Sequence, residues 1–449
     1  MRHLRTLSCL SCVSWFLPAF LSAAEPAPKI HQFSFGTALA APGFTAVSID
    51  APFTAERGHG FEITSQNSSP TSAASSLKFT ASAVSSDKPF LFSVTLPEGN
   101  YRVTVTTPEP ASASAHSAPL TIKSESRRLM VEASRGPRHE FVVNIRNARV
   151  PPPPLNAPGN DHVELNNREN SPTNGLVYHW DDKLTLEFNG PHPAVSTLTI
   201  TPAPDLPTLF VAGDSTVTDQ PREPGASWGQ MLPRWFKPDV AIANHAESGE
   251  TMKSFITELR LDKILSALKA GDFLLLQFGH NDEKANWPQT YVEANTTYKA
   301  YLRVFIAEAR RRGATPILVS PVQRRQFGPD GKIRNSHGDY PAAVSSVAKE
   351  ENVPFIDLAA ISAAFYETLG PEKSPLAFSA GGRDVTHHNN YGAYQLAKAV
   401  VASLRAQVPA LAKSIRDDFP GFDPAHPDDP ATFSLAPSPG RSAQAPRGN

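Results

Sequence analysis

Cysteine is nearly missing from this chain: 449 residues hold two, Cys9 and Cys12, both near the start. A disulfide framework is excluded beyond them, and so are a cysteine nucleophile and a cysteine metal cluster. An excess of one charge is missing too, with 42 Lys+Arg against 43 Asp+Glu and a formal net charge of -1. Without a basic surplus to neutralise phosphates, no nucleic-acid partner is expected. After the first two dozen residues no apolar run approaches the length of a bilayer span, so no membrane partner is expected either. Three catalytic signatures are also missing. There is no His-Glu-x-x-His, no Gly-x-Ser-x-Gly elbow and no glycine-rich phosphate loop. Neither a metal nor a cofactor is expected.

What is present starts with residues 1–24, which read as a secretory signal. Arg2 and Arg5 make a basic start, residues 7–21 are largely apolar, and Ser22-Ala23-Ala24 offers a cleavage site. Export to a periplasm or the outside of a cell follows as an expectation. Residues 25–204 read as an all-β sandwich. Segments 90–96 and 101–106 alternate in period two around Pro97-Glu98-Gly99-Asn100, and this predicts a hairpin. Further short strands are expected at 120–123, 129–132, 141–146, 183–189 and 196–201. Tyr178, His179 and Trp180 offer ring faces that could stack on a sugar; the ordinary reading is that such rings fill or cap the sandwich.

From residue 205 the pattern changes. Strand-like runs at 208–212, 239–244, 272–278, 315–320 and 353–358 alternate with helical stripes. One stripe is Tyr298, Tyr301, Leu302, Phe305, Ile306 and Ala309, and another lies over 391–404. Alternation of this kind predicts an α/β unit, residues 205–412, with a parallel sheet covered on both faces. Function then gathers at the carboxyl ends of the strands. Polar and glycine residues stand there: Gly213-Asp214-Ser215, Asn244 through Gly249, Gly279-His280-Asn281-Asp282, and Asp384-Val385-Thr386-His387 before the last helix. Residues 413–449, rich in Pro, Asp and Ser, read as a flexible or loosely wrapped tail.

Ser215 is a poor nucleophile unless a base takes its proton, and the imidazole of His387 is a side chain that can serve as that base. Asp384, three residues earlier, is placed to hold the ring's other N–H. Asp214 reads as a turn-former, and His280 and Asp282 as organisers of their loop. His388 reads as a neighbour or a solvated residue. Arg324 and Arg325 read as a solvated surface pair, with contact to an acidic polysaccharide as the alternative. Trp228 reads as core; Trp287 is a candidate for sugar stacking.

These four blocks resemble those of the SGNH, or GDSL-type, hydrolases. The phrasing of residues 211–217 and 277–282 and the closing Asp-x-Thr-His is similar to the rhamnogalacturonan acetylesterases. Segments 33–36, 55–58, 125–129 and 180–188 resemble the galactose-binding-like domain that precedes some bacterial members. The resemblance implies a flavodoxin-like three-layer α/β/α hydrolase domain behind a β-sandwich. It also implies an oxyanion hole made by the backbone N–H groups of Ser215 and Gly249 and the side-chain amide of Asn281. The implied activity is that of a secreted serine esterase removing acetyl groups from a plant polysaccharide, rhamnogalacturonan above all. Esterases acting on xylan, lipid or small acyl esters share the blocks. A carbohydrate-binding protein with a silent hydrolase half is the non-enzymatic alternative, against which the intact Ser215, Asp384 and His387 speak.

Overall fold

The computed structural model describes residues 29–49, 51–62, 77–109, 118–154, 158–170 and 177–440. The expected signal over 1–24 lies outside the described residues, as do the serine-rich stretches 65–76 and 111–117. Among the described residues no helix is long and apolar enough to cross a membrane.

The first unit is a β-sandwich. One sheet runs β10 (Arg138–Ile145), β7 (Gly99–Thr106), β13 (Thr197–Pro202), β1 (His31–Phe35), β2 (Thr45–Val47). The other runs β3 (His59–Phe61), β6 (Phe90–Thr95), β11 (Lys183–Asn189), β8 (Leu120–Ser124), β9 (Arg128–Ser134). Strands β4 (Leu77–Phe79), β5 (Val84–Ser86) and β12 (Ala194–Val195) make a small third sheet. Phe33, Phe35, Phe61 and Phe92 fill the space between the layers with Val103, Val105 and Leu186.

The hairpin expected at residues 90–106 is not formed. β6 pairs with β11 and β3, whereas β7 pairs with β10 and β13. Alternation demands only that each strand cover one apolar face. Here the two faces meet across the sandwich instead of lying side by side. The Tyr101 hydroxyl donates to Pro97 O at 2.9 Å and pins the crossover.

The second unit holds five parallel strands in the order β15 (Ala241–Asn244), β14 (Thr208–Gly213), β16 (Phe273–Gln277), β17 (Thr315–Val319), β18 (Phe355–Ile356). This is the flavodoxin-like order, with its switch point between β14 and β16. Side chains alternate across the sheet. Leu209, Val211, Leu275 and Ile317 pack against Trp228, Phe365, Leu396 and Val400. Phe210, Ala212, Leu274 and Leu318 pack against Phe255, Leu302, Phe305 and Val344. Helices over Leu358–Lys373 and Asn390–Gln407 therefore cover one face, and those over Arg260–Ala267, Lys299–Arg311 and Tyr340–Glu351 the other.

The tail departs from its expectation. Residues 413–440 form a packed strap. Phe419 is buried against Trp235 at 5.2 Å, and Phe433 meets Tyr394 at 5.2 Å. Asp428 accepts from Lys398 Nζ at 2.8 Å and Gln395 Nε2 at 2.7 Å. Ser438 ends in a slot between the units, where Lys123 Nζ donates to its Oγ at 2.7 Å and its N–H donates to Glu223 Oε1 at 2.9 Å. A composition averaged over the tail hides these few, well-spaced anchors.

Candidate active site

β14 is buried along its whole length, so its end is fixed in space. Gly213 closes it because nothing larger fits: an added Cβ would lie 2.6 Å from Gln277 O and 2.7 Å from Val217 Cγ2. Asp214 then folds the turn. Its Oδ1 accepts from Thr216 N at 2.9 Å and Thr216 Oγ1 at 2.8 Å, and its backbone carbonyl from Val217 N and Thr218 N at 3.0 Å each. Its Oδ2 meets His280 Nδ1 at 3.1 Å. Burial alone would raise this carboxyl; the His280 and Thr216 contacts outweigh it and hold the group at about 2.

The turn delivers Ser215 to the loop before the last helix. Ser215 Oγ lies 2.8 Å from His387 Nε2, and His387 Nδ1 lies 2.9 Å from Asp384 Oδ2. Residues 172 positions apart are thus in hydrogen-bond contact. Asp384 is fixed in turn. Its Oδ1 accepts from Thr386 N at 2.8 Å and His387 N at 2.9 Å, and its Oδ2 from Ser379 Oγ at 3.1 Å. Burial works against its charge, but these donors and the His387 ring hold the carboxyl well below the usual range. His388 is a correction to the sequence reading. It is neither solvated nor at the Ser215 hydroxyl. Its Nε2 meets the Tyr366 hydroxyl at 2.6 Å in the core, and burial, helped by His387, pulls it down to about 3.

Gly249 and Asn281 follow the strands on either side of β14. Gly249 has φ +89, a backbone shape that favours glycine, and open space where a Cβ would stand. Its loop is tied to β14 by Glu247 N donating to Gly213 O at 3.1 Å. Asn281 is fully buried, and its Nδ2 donates to Glu250 O at 3.0 Å, one residue beyond Gly249. It therefore bridges two strand-end loops and does not simply cap its own segment. Lys284 Nζ donates to Asn281 Oδ1 at 3.1 Å, which fixes which end of the amide is which. Asp282 accepts from Met252 N at 2.9 Å, and burial pushes its carboxyl up to about 8.

The remaining expectations divide. Trp228 is core, its Nε1 donating to Gln277 Oε1 at 2.9 Å. Trp287 is half-buried under Lys284, 4.3 Å from its ring centre. Arg324 and Arg325 are not a solvated pair. Arg324 lies 2.6 Å from Glu283 Oε1, and Arg325 donates to Gly382 O at 2.6 Å. Tyr178, His179 and Trp180 pack at the seam between the units. His179 Nδ1 meets Ser126 Oγ at 2.7 Å, and Trp180 stands against Arg146 at 4.5 Å and His245 at 5.8 Å.

Sequence reasoning missed Gln277, whose Nε2 donates to Thr216 Oγ1 at 2.6 Å and braces the turn. A polar residue ending an otherwise apolar strand was its available signal. It also missed Asp219, Gln220 and the seam residues behind them, which carry no local pattern. One group of described residues has metal-ligand chemistry: Glu169, His179 and Glu247, with ligand atoms within 4.8 Å of one another. Arg260 already occupies both Glu169 oxygens, at 3.1 and 2.7 Å, so its charge is compensated without an ion.

A flavodoxin-like sheet presenting a serine, an imidazole and a carboxylate in one hydrogen-bonded line defines the class of fold and site. The comparisons then give the family. Residues 211–394 match the GDSL-like lipase/acylhydrolase family, and residues 31–121 match the β-agarase/YXIM esterase-like, galactose-binding domain-like family. The chain is 40% identical over 209 residues to the rhamnogalacturonan acetylesterase RhgT of Bacillus subtilis, a match covering 44% of this chain and 88% of that one. It is 28% identical over 402 residues to the uncharacterized esterase YxiM of the same organism, covering 86% and 93%. The crystal structure of the Bacillus subtilis YxiM protein aligns over 84% of this chain and 98% of its own, with a TM-score of 0.45 and 24% identity. This chain belongs to the GDSL-like lipase/acylhydrolase family of ester hydrolases, with a galactose-binding-like β domain in front.

Proposed function

We propose that the protein is an exported serine esterase that removes acetyl groups from rhamnogalacturonan-type polysaccharide. The observation that carries the chemistry is the line Ser215 Oγ, His387 Nε2, His387 Nδ1, Asp384 Oδ2, with steps of 2.8 and 2.9 Å. Ser215 Oγ attacks the acetyl carbonyl while His387 Nε2 takes its proton, and Asp384 holds the ring's Nδ1–H. The carbonyl oxygen becomes an oxyanion facing the N–H groups of Ser215 and Gly249 and the Asn281 amide, which has one hydrogen left after bonding Glu250 O. Collapse breaks the ester C–O bond, and His387 returns the proton to the departing sugar hydroxyl. Water then attacks acetyl-Ser215, gives its proton to His387 and releases acetate, restoring Ser215.

The sugar rests on other support: the names of the relatives, two of which are rhamnogalacturonan acetylesterases at 40% and 25% identity. The test is acetate release from acetylated rhamnogalacturonan, acetylated xylan and 4-nitrophenyl acetate, with Ser215→Ala as control. The expected result is preference for rhamnogalacturonan and loss of all release in the variant. Preference for xylan retires the substrate; release that survives Ser215→Ala retires the mechanism.

A further inference from the structure

Arg127 and Arg128 belong to the β-sandwich by sequence, at the turn between β8 and β9, yet their guanidinium groups lie in the nucleophile loop of the other unit. Their turn is bent on purpose. Glu125 and Arg127 have φ of 53 and 67, the left-handed region that non-glycine residues enter only when their surroundings compel it. Ser126 between them is buried, and its carbonyl accepts from Gln230 Nε2 at 2.7 Å. So shaped, the turn aims both arginines at residues 219–225. Arg127 Nη1 donates to Gln220 O at 2.9 Å and Gly225 O at 2.8 Å; its Nη2 donates to Asn390 Oδ1 at 3.0 Å and Glu223 Oε1 at 3.3 Å. Arg128 Nε donates to Asp219 Oδ2 at 2.5 Å, and Asp219 Oδ1 accepts from Asn244 Nδ2 at 2.9 Å.

Gln220 carries this contact to the nucleophile. Its Nε2 donates to Ser215 O at 2.9 Å. One residue therefore separates the guanidinium of Arg127 from the backbone of Ser215. The near end of the nucleophile loop is held by Asp214, as described above. The far end passes through a stretch where the Gly225 carbonyl finds a partner in Arg127, which belongs to the other unit, and the Gln220 carbonyl is shared by Arg127 and Gln230 Nε2, each at 2.9 Å. A planar fork with five fixed donors suits that task, and an ammonium group does not reproduce it.

We propose that Arg127, with Arg128 beside it, is a positioning residue: the β-sandwich clamps residues 219–225 and so holds Ser215 at hydrogen-bond distance from His387. The inference rests on the ester-hydrolysis reading for its catalytic consequence. It gives the sandwich a role at the site that needs no sugar contact.

The test uses the full-length chain with Arg127→Ala, Arg127→Lys and, for comparison, Glu132→Gln. Glu132 crosses the same seam to Arg234 at 3.0 Å and Tyr394 at 2.7 Å, through different residues. Amide hydrogen exchange over residues 214–221 reads the loop directly, and kcat and KM on 4-nitrophenyl acetate, measured well below each melting point, read the consequence. In Arg127→Ala, exchange at residues 216–218 is expected to rise by about tenfold or more. The same variant is expected to lose kcat by about tenfold to a hundredfold with KM within about threefold. Arg127→Lys recovers part of both, and Glu132→Gln moves neither. Unchanged exchange in Arg127→Ala overturns the clamp. A loosened loop with kcat intact overturns its role in positioning, and an equal effect in Glu132→Gln reduces Arg127 to seam glue and overturns it too. If the parent hydrolyses no acetyl ester, the function reading fails, and exchange alone still decides the clamp.

Discussion

Asp384→Asn exchanges one oxygen for an NH2 group at the base of the Ser215–His387 line. The amide has two orientations, and the structure ranks them. In the first, the amide oxygen keeps the Thr386 and His387 backbone N–H groups, which now bond Oδ1 at 2.8 and 2.9 Å. The NH2 group then faces His387 Nδ1 and Ser379 Oγ. In the second, the oxygen faces His387 Nδ1 and the NH2 group is pressed against two backbone donors. That leaves two buried N–H groups without acceptors, at about 1–3 kcal/mol each. The first orientation wins. The Ser379 hydroxyl turns to accept, and His387 turns Nδ1 into an acceptor by moving its proton to Nε2. No hydrogen bond is lost, so the fold is retained. The chemistry is not. Nε2 now donates to Ser215 Oγ and cannot take its proton. The same carboxylate-to-amide change in a Ser-His-Asp protease lowers kcat about 10⁴-fold, or about 5 kcal/mol, and the same tautomer argument gives that size here. The assay is kcat on 4-nitrophenyl acetate for parent and variant, with thermal melting beside it. A variant within about tenfold of the parent, folded to the same temperature, refutes the reasoning.

Asn281→Ala removes a proposed oxyanion donor, and kcat is expected to fall by about 10²–10³, or about 2.7–4 kcal/mol, with KM little changed. Phe419→Ala empties a buried site in the strap and is expected to lower stability by about 3 kcal/mol in urea unfolding; a loose tail would show almost none. Burial holds Asp282 at about 8 when folded, against an ordinary carboxyl value of 3.8, so the folded chain holds a proton that the unfolded chain releases. Its contribution to stability is complete below pH 3.8 and is lost as the pH rises through about 8. Asp282→Asn is therefore expected to flatten the decline of stability between those values, and parallel parent and variant curves would contradict it.

The parallel sheet was legible because its strands are short, apolar and separated by helical stripes, as residues 208–213 show. The four polar segments were legible because such sheets expose little else at their carboxyl ends. The helices over Tyr340–Glu351 and Leu358–Lys373 went unread; the second has Gly370 and Pro371 within it and bends there. Period two located β6 and β7 but not their partners, because a strand's own sequence names its buried face and not its neighbour. Arg127 was unreadable for a stronger reason. Two of its partners are backbone carbonyls, 93 and 98 residues downstream, and a carbonyl leaves no mark in the sequence. His387 could be chosen over His388 by its three-residue step from Asp384; that His388 belongs to the core depended on Tyr366, from a helix not foreseen.

Three buried carboxyl groups at this rim, Asp214, Asp282 and Asp384, are alike in sequence but differ in charge, two ionised and one neutral. The difference lies in the donors that reach them. Asp214 receives a backbone N–H, a hydroxyl and an imidazole; Asp384 receives two backbone N–H groups, a hydroxyl and an imidazole. Both stay ionised although burial opposes it. Only backbone N–H groups lower Asp282, its Oδ2 is buried without a hydrogen-bond partner, and the Asp214 charge adds to the effect of burial, so burial prevails. The outcome suits the proposed reaction at each position. A charged Asp384 behind His387 stabilises the imidazolium that forms when Ser215 gives up its proton. A neutral Asp282, next in the chain to Asn281, sets no negative charge against the oxyanion that Asn281 is proposed to receive. Counting donors at each carboxylate thus predicts which of them can stand beside a developing anion and which must stand behind a developing cation.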